Sequence, residues 1–201
     1  MRILGVIAMP AAAILMSAVG ASAQAPKSTA GPVERQRSSA TRSGTVVAQA
    51  HAEIAGEGIS GTADFTERKD GTASYVEIQL TAKGLKPGLH GVHLHAVGKC
   101  QPDFTAAGGH FDPGPAGNTD PDANHPFHMG DLPQLQVGEN GVGTMDAVTT
   151  RVTLSDGPLT LFDADGSAII IHGNPDQGVT GESKSGVSGG PRIACGVIQK
   201  K

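Results

Sequence analysis

From residue 48 to residue 97 the chain repeats one arrangement, a short run of alternating apolar and polar side chains closed by a turn. The runs are "AQAHAEI" (48–54), "GISGTADFTER" (58–68), "TASYVEIQLTA" (72–82) and "LHGVHLHAV" (89–97), with "RKDG" and "KGLKPG" among the connections. Gly, Pro and Asp between alternating runs are the turn chemistry of antiparallel strands with one buried face. The second half adds "GVGTMDAVTTRVTL" (141–154), "SAIIIHG" (167–173) and "PRIACGVIQ" (191–199). Beyond the N-terminal apolar run, no helical period of about 12 or more residues occurs. About six to eight short strands at this spacing predict an all-β fold, an antiparallel sandwich or barrel. With five Phe, one Tyr and no Trp, its core has to be built from Val, Ile, Leu and Ala.

The chain ends bound the domain. Arg2, the apolar run "ILGVIAMPAAAILMSAVGA" and the small residues Ala21, Ser22 and Ala23 predict a secretory signal peptide over 1–23. Pro10 interrupts the run, which falls short of the roughly 20 apolar residues of a membrane span. No membrane partner is therefore expected once the signal is removed, and the mature chain is predicted to be periplasmic or secreted. Residues 24–45 are rich in Ser, Thr, Ala, Gly and Pro and read as a disordered linker. The domain then runs over 46–201, long enough for a core of its own. Cys100 and Cys195 are the only cysteines, and in a secreted chain such a pair reads as one disulfide. From Gly44 onward 10 Lys or Arg stand against 18 Asp or Glu. An acidic body of this kind argues against a nucleic-acid partner.

Two long segments interrupt the strands, 98–140 and 173–191. Loops of such length in a compact domain are usually functional or disordered. The first carries three histidines and a string of aspartates, which favours function, with a metal expected to supply the order that missing backbone ladders cannot. His93 and His95 lie two apart on a predicted strand, so both side chains leave one face and can reach one ion. His172 ends another strand, and His110 in "GGHFDPG" offers a fourth nitrogen. Singly, each would pass for an ordinary histidine; together they point to a metal. A second set, His125, His128 and Asp131, with Asp120 and Asp122 upstream, offers the nitrogen and carboxylate ligands that suit zinc. An EF-hand-like calcium frame over Asp120, Asp122, Asn124 and Asp131 fits poorly, since its sixth place is His125 rather than Gly and no flanking helices are evident.

In order along the chain, "GLHGVHLHAVGKC", "DFTAAGGHFDPG", "HMGDLPQL", "IIIHGNPD" and "GGPRIACGVI" resemble the copper/zinc superoxide dismutases of bacterial secreted type. The resemblance implies a Greek-key antiparallel β-sandwich or barrel whose two long loops are functional. It implies copper on His93, His95 and His172, with His110 shared between copper and zinc, and zinc on His128 and Asp131. It gives Cys100 and Cys195 as the family's disulfide, Asp176 as the carboxylate linking a copper histidine to a zinc histidine, His90 as a brace, and Arg192 as the receiver of the anion. The family's remaining zinc histidine falls at Asn118 here, so the loop is rebuilt. His125 is the preferred replacement, with Asp120 or Asp122 next. The implied activity is conversion of superoxide to dioxygen and hydrogen peroxide by copper redox cycling, with His110 as proton carrier. A copper-binding or copper-carrier module without turnover is the alternative. Monomer and homodimer both stay open.

Overall fold

The computed structural model describes residues 43–114 and 117–201; the signal segment 1–23 and the linker up to residue 42 lie outside the described residues. Strand β1 (Thr45–Gly56) opens at the last residue assigned to the linker. With β2 (Ile59–Asp70) and β3 (Ala73–Lys83) it forms an antiparallel meander paired along its length. The turns pivot at Gly58 and Gly71, both at positive φ, where a side chain would be strained. Inward positions alternate as expected: Ala50, Ala52 and Ile54, then Ala63 and Phe65, then Val76, Ile78, Leu80 and Ala82 fill the core.

The remaining elements are β4 (Gly88–His90), β5 (Val92–His95), a 3-10 turn (Phe104–Ala107), β6 (Leu135–Val137), β7 (Val142–Thr149), β8 (Ala168–His172), β9 (Arg192–Val197) and β10 (Gln199–Lys200). The sheet runs in the order β4-β6-β7-β3-β2-β1-β9-β8-β5, with β10 beside β1. Its two ends, β4 and β5, are neighbours in the chain, separated by Gly91 alone. The sheet therefore curls into a nearly closed Greek-key barrel, as expected. Among the described residues no helix is long and apolar enough to cross a membrane.

Three departures from the sequence pattern have physical causes. The run 89–97 is two strands, because the Gly91 N–H donates to Asn174 O and its carbonyl accepts from the His172 N–H; β4 then pairs with β6 while β5 pairs with β8. The strand expected through 154 stops at Thr149. There the inward Glu67 of β2, 1% exposed, accepts from the Leu154 and Ser155 N–H groups and from the hydroxyls of Ser74 and Ser155. Burial pushes this carboxyl up, but the four donors hold it below its ordinary value. Finally, β6 arises inside the 98–140 segment, too short at three residues to show a period.

Strand β8 is buried on both faces, which explains its unbroken "AIIIH". Ile169 and Ile171 join the main core, while Ala168 and Ile170 pack outward with Ala107, Cys195, Cys100 and Phe104. The Cys100–Cys195 disulfide, with Cα atoms 5.8 Å apart, closes this outer layer. It fastens the segment after β5 onto β9.

Candidate metal centre

Strand β5 pairs with β8 on one side only. Its other edge is occupied by the long segment: Leu94 N–H donates to Gly130 O, Phe111 N–H to Leu94 O, Ala96 N–H to Gly109 O and Val97 N–H to Ala107 O. The sequence assigned the order of this segment to a metal. The correction is that β5 itself supplies a backbone ladder, and isolated bridges set His93 opposite Asp131 and His95 opposite His110. Five of the seven candidate ligands are thus placed by main-chain pairing, these four and His172, which stands opposite Arg192 where β8 pairs with β9.

Each imidazole at the centre is buried and uses one nitrogen on the protein. His95 Nδ1 donates to Gly108 O at 3.0 Å, and His172 Nδ1 to Gly190 O at 3.0 Å. His93 Nε2 donates to Asp176 Oδ2 at 3.1 Å, and His125 Nε2 to Asp176 Oδ1 at 2.7 Å. His110 Nδ1 lies 2.8 Å from Asp131 Oδ1. The other nitrogens, His93 Nδ1, His95 Nε2, His110 Nε2 and His172 Nε2, are buried with no partner. Ligand atoms of these four residues all lie within 4.8 Å of one another. Buried polar atoms are rarely left unpaired, so four converging orphans fit a shared cation. Burial lowers the basicity of all four, His110 and His172 to about 3. They stay neutral, with lone pairs available.

A second group joins His93, His110, His125 and Asp131. His128 adjoins it, with Nδ1 3.1 Å from Asp131 Oδ2 and 3.3 Å from His110 Nδ1. Burial opposes protonation of His125, but the Asp131 and Asp176 carboxylates raise it to about 9. Burial pushes both carboxyls up, but hydrogen bonds from His110, His125 and His128 to Asp131, and from His125 and His93 to Asp176, hold them well below the ordinary carboxylate range. Asp120 and Asp122 stand outside this group: Asp120 caps the backbone of Asp122 and Ala123, and Asp122 reaches the 186–188 turn. Asn118 sits in a turn, its N–H on Asp112 and its side-chain oxygen accepting from Asp120 N–H. His90 contributes no free nitrogen. Its Nδ1 lies 2.7 Å from His172 O and its Nε2 2.9 Å from Lys86 O, so it ties β4 to the end of β8.

A surface cavity of about 420 Å³ opens over His172 and Arg192, walled by Thr105, Asp120, Lys184 and Ser188 among others. Arg192 is half-buried and donates through Nη1 to Phe104 O at 2.7 Å and through Nη2 to Gly108 O at 2.6 Å. A model of the copper/zinc superoxide dismutase domain matches residues 59–198. The chain belongs to the copper/zinc superoxide dismutase family. Its relatives include a Cu-Zn superoxide dismutase of Deinococcus radiodurans, 40% identical over 152 residues that span 70% of this chain and 78% of that one. Superoxide dismutase [Cu-Zn] 2 of Brassica juncea is 37% identical over 146 residues, 71% of this chain and 90% of that one. A crystal structure of the clock protein EA4 superposes with a TM-score of 0.63 at 30% identity, covering 79% of this chain and 98% of that one.

The sequence did not single out three features of the superoxide dismutase site here. The carbonyls of Phe104 and Gly108 that seat Arg192 are backbone groups with no residue signature. Arg151, whose Nη2 donates to Asp131 O at 2.5 Å, sits in an ordinary-looking "TTR" turn. The Asp122 contact to the second loop was legible only as a spare carboxylate.

Proposed function

We propose that this chain dismutes superoxide, converting two superoxide anions and two protons to dioxygen and hydrogen peroxide. The observation that carries the reading is the set of four neutral, buried imidazoles with unpaired nitrogens converging beside a second group that shares His110. In this reading His93, His95, His110 and His172 hold copper, and His110, His125, His128 and Asp131 hold zinc. Copper held there would supply a one-electron couple, while zinc, which has no redox chemistry, would supply fixed charge and a cross-link within the 98–140 segment.

The chain's own residues do the rest. Arg192, fixed by two carbonyls beside the cavity, receives the anionic substrate. A local field of this kind outweighs the acidic net charge of the body, an effect established for enzymes of this family. His110, with Nδ1 directed at Asp131, would take up a proton at Nε2 only when that nitrogen is released from copper, and would deliver it to the reduced product. Asp176 orients His93 and His125 through its two oxygens, and such outer partners set ring direction and ligand basicity. His90, bonded to the His172 carbonyl, braces the end of the strand that carries His172.

The reading also takes residues 1–23 as a secretory signal and the site of action as periplasmic or secreted; the closed disulfide supports an oxidising compartment. The test is metal content per chain measured beside superoxide consumption, with and without a copper chelator. Copper and zinc bound with chelator-sensitive turnover are expected. Copper bound without turnover would replace the enzyme by a copper carrier.

A further inference from the structure

Asp122 belongs to the histidine-bearing loop yet is 4% exposed and binds nothing at the metal centre. Its Oδ2 accepts from the Gly186 N–H at 2.8 Å, and its Oδ1 from the Ser188 N–H at 3.1 Å and the Ser188 hydroxyl at 2.9 Å. Its carbonyl accepts from the Gly181 N–H at 2.9 Å. One residue therefore crosses to the 173–191 loop four times. These contacts also absorb its negative charge, which would otherwise face the anion-receiving cavity it lines.

The turn that Asp122 grips ends at the copper group. Gly186, Gly189 and Gly190 all have positive φ, and a Cβ on Gly189 would lie 2.8 Å from the His172 Cβ. The turn is thus pressed onto His172. Within it Gly189 N–H donates to Gly186 O, and Asn174 N–H donates to Gly189 O. Its last carbonyl, Gly190 O, accepts from His172 Nδ1 and so aims Nε2 at the converging nitrogens. A chain of short contacts leads from Asp122 to the direction of one imidazole.

We propose that Asp122 is a positioning residue, through which the loop bearing His125, His128 and Asp131 holds the Gly186–Gly190 turn and thereby fixes the orientation of His172. The inference rests on the reading of His172 as a copper ligand. Losing the carboxylate frees the Gly186 and Ser188 amides, lets the turn lift, and leaves His172 Nδ1 without a fixed acceptor. The conservative Asp122→Asn keeps one acceptor oxygen and one hydrogen-bond geometry, so it stands between Asp122→Ala and the unaltered protein.

The experiment uses the copper- and zinc-loaded protein in three forms, unaltered, Asp122→Asn and Asp122→Ala, with His172→Gln as control. Amide hydrogen exchange follows residues 174 and 186–190, and Cu(II) electron paramagnetic resonance reports the ligand field. Expected are exchange at Gly186 and Ser188 faster by about tenfold or more in Asp122→Ala, a changed copper hyperfine splitting, and intermediate values of both in Asp122→Asn. Faster exchange with an unaltered copper spectrum would overturn the proposal, leaving Asp122 as a loop fastener only. Unaltered exchange in Asp122→Ala would overturn it as well. A copper spectrum that His172→Gln does not alter would instead sink the ligand assignment beneath it, an outcome that the Asp122 variants cannot mimic.

Discussion

Replacing Glu67 by alanine removes a carboxylate that accepts four hydrogen bonds inside the barrel. Leu154 is 2% exposed, so its N–H loses its only means of pairing, which costs about 1–3 kcal/mol. The donors of Ser74 and Ser155 are partly exposed and recover water, so each loses about 1 kcal/mol or less of a charge-assisted bond. The sum is about 1–6 kcal/mol, and a central value of about 3 kcal/mol corresponds to roughly 10 °C in Tm for a domain of this size. Glu67→Gln retains one oxygen and is expected to lose about half as much. The effect carries a pH signature. Because the folded-state pKa of Glu67 lies below its ordinary value, its stabilisation is present above the unfolded carboxyl pKa of about 4.3 and is lost as pH falls through the folded value. Denaturant unfolding of the three proteins, compared pair by pair from pH 7 to pH 3, checks both parts. A Glu67→Ala loss under about 1 kcal/mol at pH 7, or a difference that grows on acidification, would refute the reasoning.

Arg192→Ala is expected to lower the catalytic rate about tenfold or more at low salt and to flatten its ionic-strength dependence; an unchanged rate at low salt removes the guiding role. His125→Ala is expected to weaken zinc binding by more than the roughly 10–100-fold that loss of an outer partner brings, with copper retained, as measured by competition against a metal-sensitive dye. His93→Ala is expected to abolish copper binding and activity while circular dichroism shows the fold retained. Reduction of Cys100–Cys195, which spans 95 residues, is expected to lower stability by about 4–5 kcal/mol. It also frees the Phe104 and Gly108 carbonyls, so activity should fall at temperatures where the reduced chain is still folded.

The alternation of Val76, Ile78, Leu80 and Ala82 announced β3 because a half-buried strand needs no knowledge of its partners. Ile169–Ile171 was legible as a strand, but its burial on both faces was not, because the main core and the outer layer of Ala107 and Cys195 come from distant segments. The break at Gly91 was not legible, since the alternation continues across it and only the choice of β6 and β8 as partners separates β4 from β5. Glu67 was hidden for the opposite reason. A charged residue in "FTER" reads as outward, and its four donors come from segments 7 to 88 residues away. His93 and His95 were visible through their spacing, whereas His172 reaches them through the pairing of β8 with β5 and His110, His125 and His128 by folding of a segment that carries no period. The Asp122 carboxylate could be seen as a ligand candidate but not as a clamp, because its partners are backbone N–H groups that any sequence possesses.

Gly108 O accepts from both His95 Nδ1 and Arg192 Nη2, and a carbonyl oxygen has two lone pairs to offer. Both are in use, so one peptide plane serves as a common origin for the imidazole and the guanidinium. Displacing that plane moves the two together, and their spacing is inherited as a single trait. A designer transplanting the 98–110 segment into another barrel would have to preserve the place of this one oxygen before choosing any side chain around it.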